Sequence, residues 1–252
     1  MKYFFIVILS FLSLAWLLPN HYNPWITSHS DFCAFISLIL TFGLVVYYSN
    51  SIKIPVRVLP LLFIIFIPLL QYLFGIVFFL GDSIITTIYI YGFFCAMIVG
   101  YNLVQQSKEN KKIYLVLFST ILFVSIVSVF IALMQWLLQS NGQIWFADFP
   151  ANARPFANFG QPNTLATFLI MGLMSLLYLF EKQRLNIVSA SIIALLIIFA
   201  IALTQSRTSW LFALCFIIWF LWKIPILKTR INKKKLGLFI GFYILDLLRK
   251  LI

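Results

Sequence analysis

The feature that most constrains this chain is a series of long apolar runs separated by short polar breaks. Hydrophobic residues make up 63% of the 252 residues and charged residues only 10%. A soluble domain, by contrast, is about half apolar and about a quarter charged. The sequence therefore predicts an all-α fold, a polytopic transmembrane helical bundle, and excludes a soluble enzyme, a disordered chain and a disulfide-rich scaffold.

About nine membrane spans are predicted, all within a single transmembrane domain over residues 1–252. The first apolar run follows Met1-Lys2 and ends without a small-residue cleavage site, so it is expected to be a retained helix rather than a signal peptide. The predicted spans are residues 3–18, 32–48, 58–80, 84–104, 113–138, 164–180, 187–204, 208–222 and 236–248.

The basic residues predict the orientation of these spans. With the N-terminus in the cytoplasm, 14 of the 18 Lys and Arg residues fall on the cytoplasmic side and 4 on the outer side. This asymmetry follows the positive-inside rule. The net charge of +12 therefore reflects membrane topology, and binding of nucleic acid is not predicted because the basic residues lie in short loops between apolar runs.

Two arginines on the predicted outer side run against that charge bias. Arg154 precedes a proline, which favours an extended backbone, in a segment rich in amide side chains and free of carboxylates. Arg207 lies in a second polar turn. A guanidinium group matches the geometry of phosphate, and the helix that starts at Pro162 adds partial positive charge. Each arginine alone could simply contact lipid headgroups, but together they favour an anion site.

Three further polar residues are candidates for the same outer face. Ser206 and Thr208 flank Arg207, where a hydroxyl can cap the following helix or donate a hydrogen bond to phosphate. Asp82 follows a glycine and is expected either to cap a span that begins near residue 83 or to pair with an outer arginine.

Histidine and glutamine side chains complete the candidate set. His21 and His29 share the first outer loop, where a histidine pair could bind a metal or act as a base. No cluster of further ligands accompanies them, so no metal site is predicted. Gln71 and Gln135 lie inside apolar runs and are expected to hydrogen-bond neighbouring helices.

The run from Arg154 to Asn163, followed by Leu165-Ala166, resembles the signature of bacterial protein O-oligosaccharyltransferases (pilin glycosylation ligases). These enzymes share a superfamily with O-antigen ligases and polymerases. Ser206-Arg207-Thr208 resembles the Ser-Arg-Thr that opens a later helix there. The similarity covers roughly residues 1–222, with the signature region at about 145–180, and includes residues 19–25, Gln71, Gly75, Gly81 and Asp82.

The resemblance implies a multi-pass glycosyltransferase of the bacterial inner membrane. Such an enzyme transfers a glycan from an undecaprenyl-diphosphate carrier to a periplasmic acceptor, either a protein hydroxyl as in pilin or the lipid A core, and requires no cofactor or metal. In this family, arginines on the outer face bind the diphosphate. Because Arg154 and Arg207 occupy the matching motifs, the resemblance implies the same role for them. The supporting motif residues are Asn158, Gln161, Asn163, Ser206 and Thr208, and no catalytic residue is assigned.

The sequence departs from the family pattern towards its C-terminus. Family members continue into a large periplasmic loop that carries a histidine, and nothing here matches that loop, since His21 and His29 lie elsewhere. The chain is therefore expected to be the N-terminal part of such an enzyme. Two alternatives remain: a flippase or transporter of the lipid carrier, and a non-catalytic membrane fragment that only binds carrier lipid.

Overall fold

The computed structural model describes residues 2–19, 27–48, 51–107, 112–138, 144–150 and 153–223. Its regular elements in these ranges are all helical, which confirms the all-α prediction. A short 3-10 turn at Val56–Val58 precedes the third α-helix. The α-helices are α1 (Lys2–Leu17), α2 (Ser28–Tyr48), α3 (Pro60–Leu73), α4 (Leu80–Ser107), α5 (Lys112–Trp136), α6 (Pro162–Glu181), α7 (Ile187–Leu203) and α8 (Arg207–Lys223).

Each of the first eight predicted spans has a helix over most of its length, and the ninth, 236–248, lies outside the described residues. Five helical segments in the described ranges are long and apolar enough to cross a membrane. The number of nine spans and the cytoplasmic N-terminus stay predictions. The five segments are Ser28–Tyr48, Val56–Leu73, Leu80–Gln105, Ile113–Trp136 and Pro162–Glu181.

The predicted span 58–80 is too long, because α3 already ends at Leu73. Gly75 has a φ of +69°, the left-handed backbone that glycine adopts without steric cost. Its N–H donates to the Tyr72 carbonyl at 3.0 Å, and the Ile76 N–H donates to the Gln71 carbonyl at 2.9 Å. These two bonds form a Schellman motif, which satisfies the last carbonyls of the helix and turns the chain.

Substituting Gly75 with alanine should destabilise the protein by about 1 kcal/mol, because a Cβ is strained in the left-handed region. No atom lies within 4 Å of the Cβ that would be added, so strain is the whole effect. The measurement is the free energy of unfolding in detergent micelles. Gly81→Ala is the matched control, since Gly81 also has open space but no positive φ, and an equal loss in both variants would contradict the assignment.

By packing, the described chain divides into two compact units, one within Met1–Ala15 and Ser28–Val116, the other within Trp16–Thr27 and Leu117–Ile252. In the first unit α3 and α2 both pack on α4. Its core consists of Val58, Ile65, Phe94 and Ile98. The Asn102 side chain of α4 binds the backbone N–H and carbonyl of Lys53 at 3.0 and 2.9 Å, which fastens the segment before α3.

The second unit contains both arginine motifs and is built on α5, α6 and α7. Phe168 of α6 packs with Ile121 and Val124 of α5 in its core. Trp16, near the end of α1, lies against Phe168 with ring centroids 4.8 Å apart. Phe159 lies against the same ring at 4.9 Å, so the segment before α6 is anchored in the core by an aromatic side chain.

Candidate functional site

Gln135, a buried side chain of α5, bonds the backbone of the loop that precedes α6, residues 153–161. Gln135 lies one residue before the end of α5 and is 0% exposed. Its Oε1 accepts hydrogen bonds from the backbone N–H groups of Phe156 at 3.1 Å and Ala157 at 2.7 Å. Its Nε2 donates to the Ala157 carbonyl at 2.8 Å. The expectation that Gln135 bonds a neighbouring helix is therefore wrong: its partner is loop backbone, which lacks helical partners of its own.

Ala157 shows why the loop needs this support. Its φ is +50°, a left-handed conformation that is uncommon for a residue with a Cβ, and it is completely buried. Because both backbone polar groups of Ala157 are bonded to Gln135, the surrounding structure maintains a conformation that would otherwise be unfavourable.

Asn158, a predicted supporting residue of the anion site, is 3% exposed and bonds three separate backbone groups. Its Oδ1 accepts from the Ala147 N–H at 3.0 Å. Its Nδ2 donates to the carbonyls of Leu17 at 2.7 Å and Trp145 at 3.0 Å. The amide thus ties the end of α1 and the segment 145–147 to the loop. The structure gives Asn158 this anchoring role, and its contact with substrate stays a prediction.

Arg154 joins the loop to the turn between α7 and α8. Its side chain is exposed, and Nη1 donates a hydrogen bond to the Gln205 carbonyl at 3.2 Å. Gln205 lies two residues before Arg207, which is also exposed and opens α8. The two arginine motifs, far apart in the sequence, are therefore connected by one hydrogen bond in the same unit.

The turn that carries Arg207 is rich in hydroxyl groups. Ser206 directly precedes α8, in the position of a capping residue, and its Oγ lies 2.6 Å from Oγ1 of Thr208. The two hydroxyls thus bond each other. Ser209, also in the first turn of α8, has a buried Oγ without a hydrogen-bond partner among the described residues.

Gln161 and Asn163 flank the start of α6. Gln161 occupies the N-cap position with an extended backbone and makes no side-chain capping bond. Pro162 is the first helical residue, where its missing N–H has no cost. The side chains of Gln161 and Asn163 are both exposed, and their contact with a ligand stays a prediction.

Few acidic residues accompany the two arginines in the sequence. Between residues 117 and 223 the sequence contains only two acidic residues, Asp148 and Glu181. Glu181 is the last residue of α6, at the opposite end of that helix from the loop. Within the described part of the chain, neither Arg154 nor Arg207 forms an ion pair. Two exposed guanidinium groups and a helix N-terminus can together bind an anion.

The remaining predicted residues are His21 and Asp82. His21 falls outside the described residues. Asp82 belongs to the first unit and lies within the first turn of α4, which begins at Leu80, so the expectation that it caps a span starting near residue 83 is wrong. In the described ranges, no group of three or more His, Cys, Asp or Glu side chains could hold a metal ion.

Sequence reasoning missed the partners of this loop and of the Arg154 side chain. Gln135 was expected to bond neighbouring helices, and Gln205 was not singled out. A signal was available at both positions, since Gln135 is a polar residue near the end of an apolar run and Gln205 directly precedes Ser206.

Comparison with known proteins identifies a matching stretch that includes most of this loop and nearly all of α6. Residues 155–180 match the sequence profile of a family described as "Protein glycosylation ligase". The chain is 38% identical over 242 residues to a "General O-oligosaccharyltransferase" of Acinetobacter baylyi, a match that covers 94% of this chain and 41% of the relative. It is 28% identical over 202 residues to a "ComP-specific O-oligosaccharyltransferase" of the same organism, covering 80% of this chain and 36% of that relative.

No solved structure matches the chain. The chain spans about two fifths of the length of the curated relatives it matches. The signature match and the similarity along nearly the whole chain place it, as a partial sequence, among the bacterial protein O-oligosaccharyltransferases.

Proposed function

We propose that this chain forms the carrier-binding part of a glycosyltransferase in the bacterial inner membrane. The enzyme transfers a glycan from an undecaprenyl-diphosphate carrier to a hydroxyl group of a periplasmic protein such as a pilin. The names of the two relatives support a transferase of oligosaccharide to protein and favour a protein acceptor over the lipid A core. The apolar helices support a membrane-embedded carrier.

The observation that carries this proposal is the hydrogen bond from Arg154 to the Gln205 carbonyl. It connects the residue directly before the matched glycosylation-ligase stretch with the turn that presents Arg207. A diphosphate offers several anionic oxygens, and two guanidinium groups provide up to five donors each for them. The N-terminus of α8 adds partial positive charge at the same turn.

In the proposed reaction the oxygen of the acceptor hydroxyl attacks the anomeric carbon of the glycan. A new glycosidic C–O bond forms, the bond from that carbon to the diphosphate oxygen breaks, and the lipid diphosphate leaves with the electron pair. The acceptor proton passes to a base that we do not assign to a residue. Negative charge grows on the leaving diphosphate, so Arg154 and Arg207 would act by stabilising that charge.

The first test is binding of undecaprenyl diphosphate to the purified full chain in nanodiscs of zwitterionic lipid. Arg154→Ala and Arg207→Ala should each raise the Kd about tenfold or more, because a charge-assisted hydrogen bond contributes about 1.5–3 kcal/mol. The matched control is Arg184→Ala, at an exposed arginine in the turn after α6, which should leave the Kd unchanged.

The proposal fails if both variants bind the carrier as tightly as the parent chain. Transfer is measured separately, as glycosylation of a pilin-like acceptor in cells that supply the carrier-linked glycan. Carrier binding without transfer would identify a binding fragment, whereas movement of carrier across liposome membranes by the purified chain would favour the flippase alternative.

A further inference from the structure

Three helix ends in this protein can be compared because, at each, the second residue after the helix has the left-handed conformation and the residue that follows it is also described. Gly75 after α3, Gln183 after α6 and Gln205 after α7 have φ values of +69°, +58° and +47°. At the first two ends the next N–H donates directly to a helix carbonyl, Ile76 to Gln71 and Arg184 to Leu179, each at 2.9 Å. These ends are ordinary Schellman motifs.

The end of α7 differs by one inserted hydroxyl group. The equivalent bond would run from the Ser206 N–H to the Ile201 carbonyl. Instead, Oγ1 of Thr204 donates to the Ile201 carbonyl at 2.7 Å and accepts from the Ser206 N–H at 3.3 Å. Thr204 is 0% exposed, so water cannot replace its hydroxyl without rearrangement of the turn.

This inserted hydroxyl sets the position of the Gln205 carbonyl. On one side the Gln205 N–H donates to the Ala202 carbonyl at 3.1 Å. On the other side the Ser206 N–H is held by Thr204. The peptide group between Gln205 and Ser206 is therefore fixed by Thr204, and its oxygen is the one that accepts the hydrogen bond from Arg154.

We propose that Thr204 is a positioning residue for the binding of a polyprenyl diphosphate. Its hydroxyl fixes the Gln205 peptide, and the Gln205 carbonyl in turn orients the Arg154 guanidinium towards the lipid diphosphate. Thr204 does not touch the substrate and acts only through Arg154. The inference rests on the proposed function, because it requires Arg154 to bind the carrier.

The test compares Thr204→Val with Thr204→Ser in the full chain, using undecaprenyl diphosphate in nanodiscs as the probe. Valine keeps the shape of threonine but loses both hydrogen bonds, and we expect a Kd up to about tenfold higher, the range of one net hydrogen bond. Serine keeps the hydroxyl and should bind as the parent does. Thr204→Ala also removes the hydroxyl and fits the same space, so it must show the same loss of carrier affinity as Thr204→Val.

Two controls separate positioning from general stability. Thr41→Val removes a hydroxyl that bonds only its own helix, from Oγ1 to the Ser37 carbonyl at 2.6 Å, and should leave the Kd unchanged. In an Arg154→Ala background, Thr204→Val should cause no further loss of affinity, since residues that act through one contact are not additive. Unfolding midpoints of every variant are recorded so that binding is compared between folded proteins.

The outcomes distinguish this inference from the proposed function. If Arg154→Ala weakens binding but Thr204→Val does not, Thr204 has no positioning role and the proposed function stands. Equal losses from Thr204→Val with and without Arg154 would also overturn the inference. If Arg154→Ala alone binds the carrier as the parent does, the inference fails. If Arg207→Ala also binds the carrier as the parent does, the proposed function fails with it.

Discussion

Replacing Gln135 with leucine is expected to destabilise the protein by about 3 kcal/mol or more. The substitution removes three hydrogen bonds at once and leaves two backbone N–H groups and one carbonyl of the loop without partners. Each buried polar group left unbonded costs about 1–3 kcal/mol. Because Ala157 is completely buried, water cannot compensate for its lost bonds. The measurement is the free energy of unfolding in detergent micelles.

The matched control for this change is Gln71→Leu. Gln71 also lies in an apolar helix, is half-buried, and makes no side-chain hydrogen bond within the part of the chain that the structure describes. Leucine at this position should therefore leave the free energy of unfolding nearly unchanged. Equal stability of Gln135→Leu and Gln71→Leu would show that the loop does not depend on Gln135.

The second large effect is expected at the contact between α5 and α6. A Cβ added to Gly172 would lie 2.7 Å from the Cβ of Ser125, closer than real Cβ contacts allow. Rotating the serine hydroxyl cannot relieve this overlap, because it involves the Cβ atom itself. Gly172→Ala should therefore push the helices apart and destabilise the protein by about 1–3 kcal/mol, the range for overpacking a core.

A compensating substitution tests this explanation directly. Ser125→Gly removes the atoms that collide with the new methyl group, so the double variant should recover part of the stability lost in Gly172→Ala. Gly100→Ala is the control in another helix, where no atom lies within 4 Å of the added Cβ. Alanine there should stabilise the helix slightly by its higher propensity. A Gly172→Ala protein as stable as Gly100→Ala would contradict the close packing.

The helical fold was predictable because the membrane demands it. Backbone polar groups in a bilayer must be bonded internally, so a long apolar run has few alternatives to a helix. Hydropathy did not reveal where α3 ends, because the residues from Leu73 to Phe79 are almost all apolar. The end depends on Gly75 and two backbone bonds, and a local turn inside an apolar run leaves no change in hydropathy.

The candidate site was predictable only in its charged members. Arg154 and Arg207 stand out in the sequence because positive charge on the predicted outer side needs an explanation. The residues that hold them are uncharged amides and hydroxyls, which are common in loops and caps and carry no signal until their partners are known. Asn158 illustrates this, since its position in the signature suggested a ligand contact and its amide bonds three backbone groups.

The sequence by itself determined that this chain is helical and membrane-embedded, and which two arginines are exceptional. The reason is that the hydrophobic effect decides which runs of residues enter the membrane, and the cost of burying charge in a bilayer makes each unexpected charge stand out. Both effects can be evaluated from the order of residues along the chain. Only the tertiary structure decided that Gln135 holds the loop of Arg154 and that Gln205 links this loop to the turn of Arg207. Such hydrogen bonds require a particular distance and direction between donor and acceptor. For residues far apart in sequence, that geometry is established only when the helices pack together.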